Sequence, residues 1–407
     1  MTRQVNKTSL LSNLPIHWPL ALAVLALMFV GVAFIYSATS ADELLRSQPW
    51  HQQRHIMQAI WYVIGCVLAV ALCIRDYRWL CKWTVLVYGG TILALILVLI
   101  PGIGVMRFGA RRWFDLGIFL VQPSEFAKIG FIMALAHYLS RPPEELRRLS
   151  VFFKSLAMMA LPFLLILKEP DLGSALILLP VGAVMMLVAG MPKARLVKLG
   201  LAAGLLVTLI LVDVLFAPPN WRIKLEDYQR RRLMVFFGLD YVKFAPPNAT
   251  AAERQRLRAQ QQNDAYSSRQ ALISVGSGGL TGKGWRQGSQ IALGYLPKAV
   301  AHNDFIFSVI AEESGFIGSV VVVALYGVIL VTGIWIASQA RDRLSKLLAV
   351  GAVTLIFSHV FINIGMNIRI MPVTGVPLPL LSYGGSSVLT SMIAIGLLQN
   401  VYLYRRE

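Results

Sequence analysis

Long apolar runs, each broken by a short polar stretch, set the rhythm of this chain. Spans of about 17 to 25 residues with few charges are read as membrane-crossing helices. Ten fall near 18–38, 57–74, 82–101, 125–140, 151–167, 172–190, 196–216, 309–338, 347–368 and 385–404. The pattern predicts an all-α polytopic membrane protein of about ten transmembrane helices in a single domain, 1–407, with one large loop, 217–304, between helices 7 and 8. The first span is too long for a signal-peptide core, so despite the small residues of "SATSA" it is expected to remain as the first helix.

Composition agrees: 57% hydrophobic and 14% charged residues with a mean hydropathy of +0.64 exclude an ordinary soluble domain. A net charge of +18 raises nucleic acid as a partner, but its distribution points elsewhere. Both tails and the short loops on their side hold 16 Lys and Arg, against 7 in the short loops on the other side. By the positive-inside rule both termini are cytoplasmic and the large loop is extracytoplasmic. That loop carries 13 of the 38 basic residues, against the bias. Long loops translocate largely regardless of charge, so the topology stands, and the excess asks for an anionic ligand. No basic module interleaved with aromatics is present, so no nucleic-acid partner is expected. Cys66, Cys73 and Cys81 lack CxxC or Cys/His spacing and read as core thiols.

Several stretches could carry chemistry. In "HNDFIFSVIAEESGFIG" (302–318), helical periodicity puts Asp304, Ser308 and Glu312 within roughly an 80° arc, while Glu313 points away. Asp304 reads equally as a helix cap or as a site. "GSGGLTGKGW" (276–285) fails the Walker spacing at Ser277 and Gly284, which excludes ATP binding of that kind. Its backbone N–H groups could still meet a phosphate, with Lys283 and Arg286 adding charge, or the run could be a flexible connector. "RFGARRWFDLGIFLVQPSEFAKIG" clusters Arg107, Arg111 and Arg112 before a helix that Pro123 is suited to start. Glu125 and Lys128, three apart, are placed to pair on one face. Asp171 in "KEPDLGS" is a candidate cap. "NIGMNIRIMPVTGVPLPLLSYGGSS" (363–387), containing Ser386, holds too much Pro and Gly for one helix and is expected to line a groove. "FAPPN" recurs at 216–220 and 244–248 as turn chemistry, and "TAAERQRLRAQQQND" opens with Thr250 and Glu253 at capping-box spacing, predicting a short polar helix.

Taken together, these motifs resemble the SEDS family of membrane glycosyltransferases over nearly the whole length: "GARRWFDLG…QPSEFAKI", "EPDLGSA", "DYQRRRLMVF", "LISVGSGGLTGKGW", "HNDFIFSVIAEESGFIG" and "NIGMN…MPVTGVPLPLLSYGGSS". The wording of "GVPLPLLSYGG" and "DYQRRR" favours the branch serving cell elongation. The chain departs from the pattern in about 25 extra residues near 240–265 and in "LPKAVA" before the "HND".

The resemblance implies a multi-pass protein of the bacterial cytoplasmic (inner) membrane with an extracytoplasmic active site. It would polymerise lipid II, as donor and acceptor, into β-1,4-linked glycan and release undecaprenyl pyrophosphate. Asp304 matches the family's essential loop Asp and is expected as general base. Arg111 and Arg112 are the candidates for the pyrophosphate, and Glu125, Lys128, Asp171, Lys283, Glu312 and Ser386 for other substrate contacts. No metal-ligand spacing is visible, and the resemblance leaves room for a divalent cation, Mg or Mn, at the leaving group. The implied partners are a class B penicillin-binding protein transpeptidase, other elongation-complex membrane proteins and membrane lipid. Two other functions share this outline. A lipid II flippase would need a polar path through both leaflets, and a scaffold that only activates the transpeptidase would tolerate Asp304→Asn.

Overall fold

A computed structural model describes residues 16–40, 47–107, 110–117, 119–216, 227–244 and 250–406. The proline pairs of both "FAPPN" copies lie outside these residues. The apolar runs form helices α1 (Trp18–Ser40), α2 (Arg54–Cys73), α3 (Thr84–Leu99), α4 (Pro123–Leu139), α5 (Leu149–Lys168), α6 (Leu172–Ala189) and α7 (Lys193–Phe216). The long connection holds α8 (Asp227–Phe237) and α9 (Ala251–Ser277), and the chain ends with α10 (Ile306–Ser338), α11 (Arg343–Asn367) and α12 (Gly385–Leu403). Among the described residues eight helices are long and apolar enough to cross a membrane, and α3 is a shorter apolar helix. The tenth expected span is α4, which has only 17 residues.

Burial orders the bundle. In α11, 78% of the apolar window is enclosed, against 6% in α7, so α11 is the central post and α7 a peripheral one. α12 packs along α2, α1 along α10, α3 along α4 and α6 along α11. α1 is thereby built into the core, with Leu27 and Ile35 fully buried. Cys66, Cys73 and Cys81 are free thiols, the last two buried.

Local chemistry fixes the element ends. Pro123 opens α4, where its missing N–H costs nothing. Asp171 caps α6 by accepting from Ser174 N at 3.1 Å. Thr250 and Glu253 form the expected capping box, but α9 runs 27 residues rather than ending with its polar first half. Its second half continues because it buries Ser268, Ala271 and Ser274 while the helix packs along α10, and helix-breaking glycines come only at its end. A feature not expected from the sequence is a three-stranded antiparallel sheet between α3 and α4: β1 (Val105–Arg107), β2 (Ala110–Asp115) and β3 (Leu120–Val121), with Met106 opposite Arg111 and Phe114 opposite Val121.

The glycine run after α9 has a packing purpose. α10 breaks at Gly315 (φ 67°, ψ −162°), and the run lies against the break. Lys283 N donates to Glu312 O at 3.0 Å and Gly284 N to Glu313 O at 2.9 Å, while Phe316 N donates to Gly279 O at 2.9 Å. A Cβ on Gly278 would meet Ala311 O at 2.0 Å, so the close approach excludes any side chain there. These amides of the run serve the carbonyls of a broken helix.

Candidate active site

Non-helical backbone inside a bundle must find partners for its polar groups, and the segment after α11 finds them on three helices. Asn363 Nδ2 donates to Val376 O at 2.7 Å, and Gln58 Nε2 to Ser382 O at 3.1 Å. The Tyr326 and Tyr62 hydroxyls donate to Pro379 O and Leu380 O. The expected irregular segment is therefore rigidly held. It lies between two acids: Gly173, two residues beyond Asp171, packs against Thr374 and Val376, and a Cβ on Gly375 would sit 3.6 Å from Asp304 Oδ2.

Asp304 lies in the turn that leads into α10. The N-cap of α10 is Phe305, with no side-chain cap bond, so the Asp304 carboxyl is not the helix cap. It faces a cavity of about 260 Å³ whose polar lining includes Arg231, Arg232, Asp264, Ser267 and Arg369. α8 supplies two of the arginines. Arg231 lies 3.7 Å from Asp264 of α9, and Tyr241 OH donates to Asp264 at 3.0 Å, which ties α8 to α9 over the cavity. Burial pushes the Asp304 carboxyl up to about 6; the Arg232 guanidinium opposes the rise, Asp171 adds to it and Arg112 opposes it. Two residues away, the Arg54 guanidinium reaches the His302 ring, lying 2.9 Å from Nδ1. Burial and the Arg54 charge push His302 down to about 3, leaving it neutral.

The other expected residues fall into three separate clusters. Arg112 Nε donates to Glu169 O at 2.9 Å and a second guanidinium N–H bonds Pro170 O, so Arg112 braces the α5–α6 turn. Its neighbour Arg111 projects from the opposite face of β2, since strand side chains alternate; the two do not form a joint clamp, and neither lines the cavity. Glu169, in the braced turn, is fully buried, and among the described residues neither carboxyl oxygen has a hydrogen-bond partner. Its pKa is pushed up to about 9 by burial and by the Asp171 carboxylate, against Arg112.

The second cluster is a buried polar thread. Gln122 Nε2 donates to Asp171 at 2.9 Å, and Ser386 Oγ accepts from Gln122 N at 3.0 Å. Below it, Lys128 Nζ lies 2.7 Å from Glu125 Oε1 and 2.9 Å from His359 Nε2, all three buried. Lysine only donates, so His359 Nε2 accepts and its Nδ1–H donates to Pro377 O at 3.2 Å. In the third cluster Lys283 Nζ pairs with Glu312 Oε1 at 2.6 Å and donates to Ser277 and Ser289, while Glu313 accepts from Ser37 Oγ at 2.5 Å. Lys283 and Glu312 neutralise each other where the glycine run meets α10. Neither lines the cavity.

Arg231, Arg232, Arg369, Asn363 and Asn367 lie in "DYQRRR" and "NIGMNIR", motifs whose spacing alone gives these residues no role. The excess of cations in the long connection was the available signal. Among the described residues no group of three His, Cys, Asp or Glu side chains is arranged to hold a metal ion.

The model of the FtsW, RodA and SpoVE family, described as "Cell cycle protein", matches residues 18–407. The chain belongs to this family. A curated relative of this SEDS chain, the peptidoglycan glycosyltransferase MrdB of Escherichia coli K12, is 33% identical over 408 residues, covering 100% of this chain and 98% of the relative. Among solved structures, a chain from a peptidoglycan synthase complex that coordinates polymerization and crosslinking matches with a TM-score of 0.75 and 28% identity, covering 97% of this chain and 99% of that one. The Thermus thermophilus rod shape determining protein RodA matches with a TM-score of 0.64 and 27% identity over the same shares. The SEDS chain is thus a multi-pass membrane protein of RodA type.

Proposed function

We propose that this chain is a peptidoglycan glycosyltransferase of cell-wall elongation, polymerising lipid II into β-1,4-linked strands and releasing undecaprenyl pyrophosphate. The observation that carries the reading is the Asp304 carboxylate sharing one cavity with Arg231, Arg232 and Arg369, of which Arg231 also pairs with Asp264. A sugar hydroxyl is a weak nucleophile at neutral pH, and a carboxylate within hydrogen-bond reach can take its proton as the new bond forms. The acceptor oxygen then attacks the anomeric carbon, the bond to pyrophosphate breaks with its electron pair, and the proton ends on Asp304. One displacement inverts α to β, so no covalent enzyme intermediate is needed. Arg231, Arg232 and Arg369 are the cations placed to meet the departing charge, a role the sequence alone had suggested for Arg111 and Arg112.

The remaining polar clusters fit support of this site. Asp171 and Arg112 act on Asp304 through space, and the Glu125–Lys128–His359 thread holds the segment beside it. The charge bias of the short loops supports an extracytoplasmic active site with both termini cytoplasmic, and membership of the family supports the bacterial inner membrane. The synthase complex of the structural relative supports a transpeptidase partner of the class B penicillin-binding type.

The test uses purified full-length protein with lipid II and no other glycosyltransferase. Parent protein should give glycan polymer on a gel and Asp304→Asn should not. Equal polymer from both would sink the general base. If neither form makes polymer yet both move lipid II between leaflets, the transporter reading takes over.

A further inference from the structure

Three consecutive main-chain carbonyls leading into α10 are each taken by a donor from elsewhere in the fold. His302 O accepts from Tyr383 N at 3.0 Å, and Asn303 O from Ser382 Oγ at 2.6 Å. Asp304 O accepts two side-chain amides, Asn363 Nδ2 and Asn367 Nδ2, each at 3.1 Å. A carbonyl has two lone pairs, so this one is saturated.

The two asparagines lie four apart on α11 and are therefore stacked on one face. Both are fully buried at the centre of the bundle. Buried amides are unfavourable unless each is hydrogen-bonded, and a role in packing alone would be served by leucine at lower cost. Each amide is also oriented. Asn363 donates to Val376 O as well as to Asp304 O, joining α11, the irregular segment and the turn. Asn367 Oδ1 accepts from Ser308 Oγ at 2.6 Å, which turns its NH₂ toward Asp304 O. Ser308 is one helical turn beyond Asp304, so Asn367 grips the start of α10 at two points.

We infer that Asn363 and Asn367 are positioning residues, which fix the main chain at Asp304 so that its carboxylate stays aimed into the arginine-lined cavity, with Ser308 setting the Asn367 amide. Proton transfer tolerates little misplacement: a shift of about 1 Å can cost on the order of a hundredfold in rate. The inference rests on Asp304 as general base.

The experiment compares full-length Asn363→Ala, Asn367→Ala and Ser308→Ala with Asp304→Asn, measuring lipid II polymerisation across substrate concentration and pH. Asn363→Ala and Asn367→Ala should lower kcat by about tenfold or more, leave KM within about twofold, and displace the acid limb of the pH profile; Ser308→Ala should do the same more weakly. A residue that served only packing would lower the amount of folded enzyme without moving that limb. Parental kcat in Asn367→Ala and Ser308→Ala, with Asp304→Asn inactive, would overturn the clamp while leaving the base in place. Full activity of Asp304→Asn would overturn the base itself. If an asparagine variant does not fold, Ser308→Ala decides, since it removes one hydroxyl, and an unchanged kcat and pH profile there sinks the inference.

Discussion

The backbones of Gly282 and Gly315 meet so closely that a Cβ on Gly315 would sit 2.3 Å from Gly282 N, and one on Gly282 would sit 2.1 Å from Glu313 O. Gly315 also holds φ 67° and ψ −162°, a region open essentially to glycine alone. Gly315→Ala therefore faces both backbone strain and a clash with an unyielding main chain. We expect a loss of about 3 kcal/mol or more, seen as a lower thermal midpoint or a poor yield of monodisperse protein. Gly327→Ala is the control on the same helix: a Cβ there meets nothing within 4 Å, and stability should be kept. Equal behaviour of the two variants would remove the junction from the account of how the long connection is anchored.

The Glu125–Lys128 pair, 1–2% exposed, sits where no water screens it. Removing one partner of a buried pair leaves an uncompensated charge and costs about 3–5 kcal/mol. Glu125→Gln leaves Lys128 with the neutral His359 as its acceptor, and Lys128→Met strands the Glu125 carboxylate. Each single variant should unfold well below the parent in detergent, and the double variant should recover much of the loss. Should the single variants match the parent's midpoint, the pair contributes nothing to stability.

Glu169 is a buried acid whose pKa is pushed up to about 9 from 4.5. With the folded value above the unfolded one, its contribution is fully present below about pH 4.5 and is lost as pH rises toward 9. Glu169→Gln has no charge to bury and lacks this slope. The variant should gain stability over the parent between pH 6 and 9, with the two curves meeting near pH 4.5, while polymerisation near pH 7 stays within about twofold because the parent side chain is already neutral. Parallel midpoint-against-pH curves would show that Glu169 does not titrate in this way.

Much of this fold was legible as sequence because crossing a bilayer demands long apolar runs, and runs such as 172–190 and 385–404 return as α6 and α12 almost to the residue. Pro123, Thr250 with Glu253, and the i,i+3 pairing of Glu125 with Lys128 were legible because each acts within one helical turn. The site was legible only in part. Asp304 stood out as an acid at the edge of a span, but its arginines come from α8 and from Arg369, 65 or more residues away in sequence for every cavity arginine, and no local pattern encodes that meeting. Lys283 and Glu312 illustrate the opposite case: both carry charge fit for a substrate, yet they lie within reach of each other and pair. The small sheet escaped because "ARRWFD" has polar and aromatic residues on both faces, hiding the alternation that marks a strand.

Asp304 should set the acid limb of the pH–rate profile. A general base works only when ionised, and burial places its pKa at about 6, so kcat/KM should be flat above pH 7 and fall about tenfold per unit below pH 5. Asp304→Asn should lose about 10² to 10⁴ in kcat and show no such limb. Among the charges acting on Asp304, Arg232 opposes the burial effect most strongly. Arg232→Gln therefore lets the Asp304 pKa rise, and the acid limb should move to higher pH, while Arg232→Lys, which keeps the charge, should hold it nearer the parent position. The measurement is initial polymerisation rate from pH 4.5 to 8.5 for the four proteins, each checked for folding at the extremes. A limb that stays in place when Arg232 loses its charge would mean that the group titrating in the profile is not Asp304 beside that arginine, and the base would have to be sought elsewhere in the cavity.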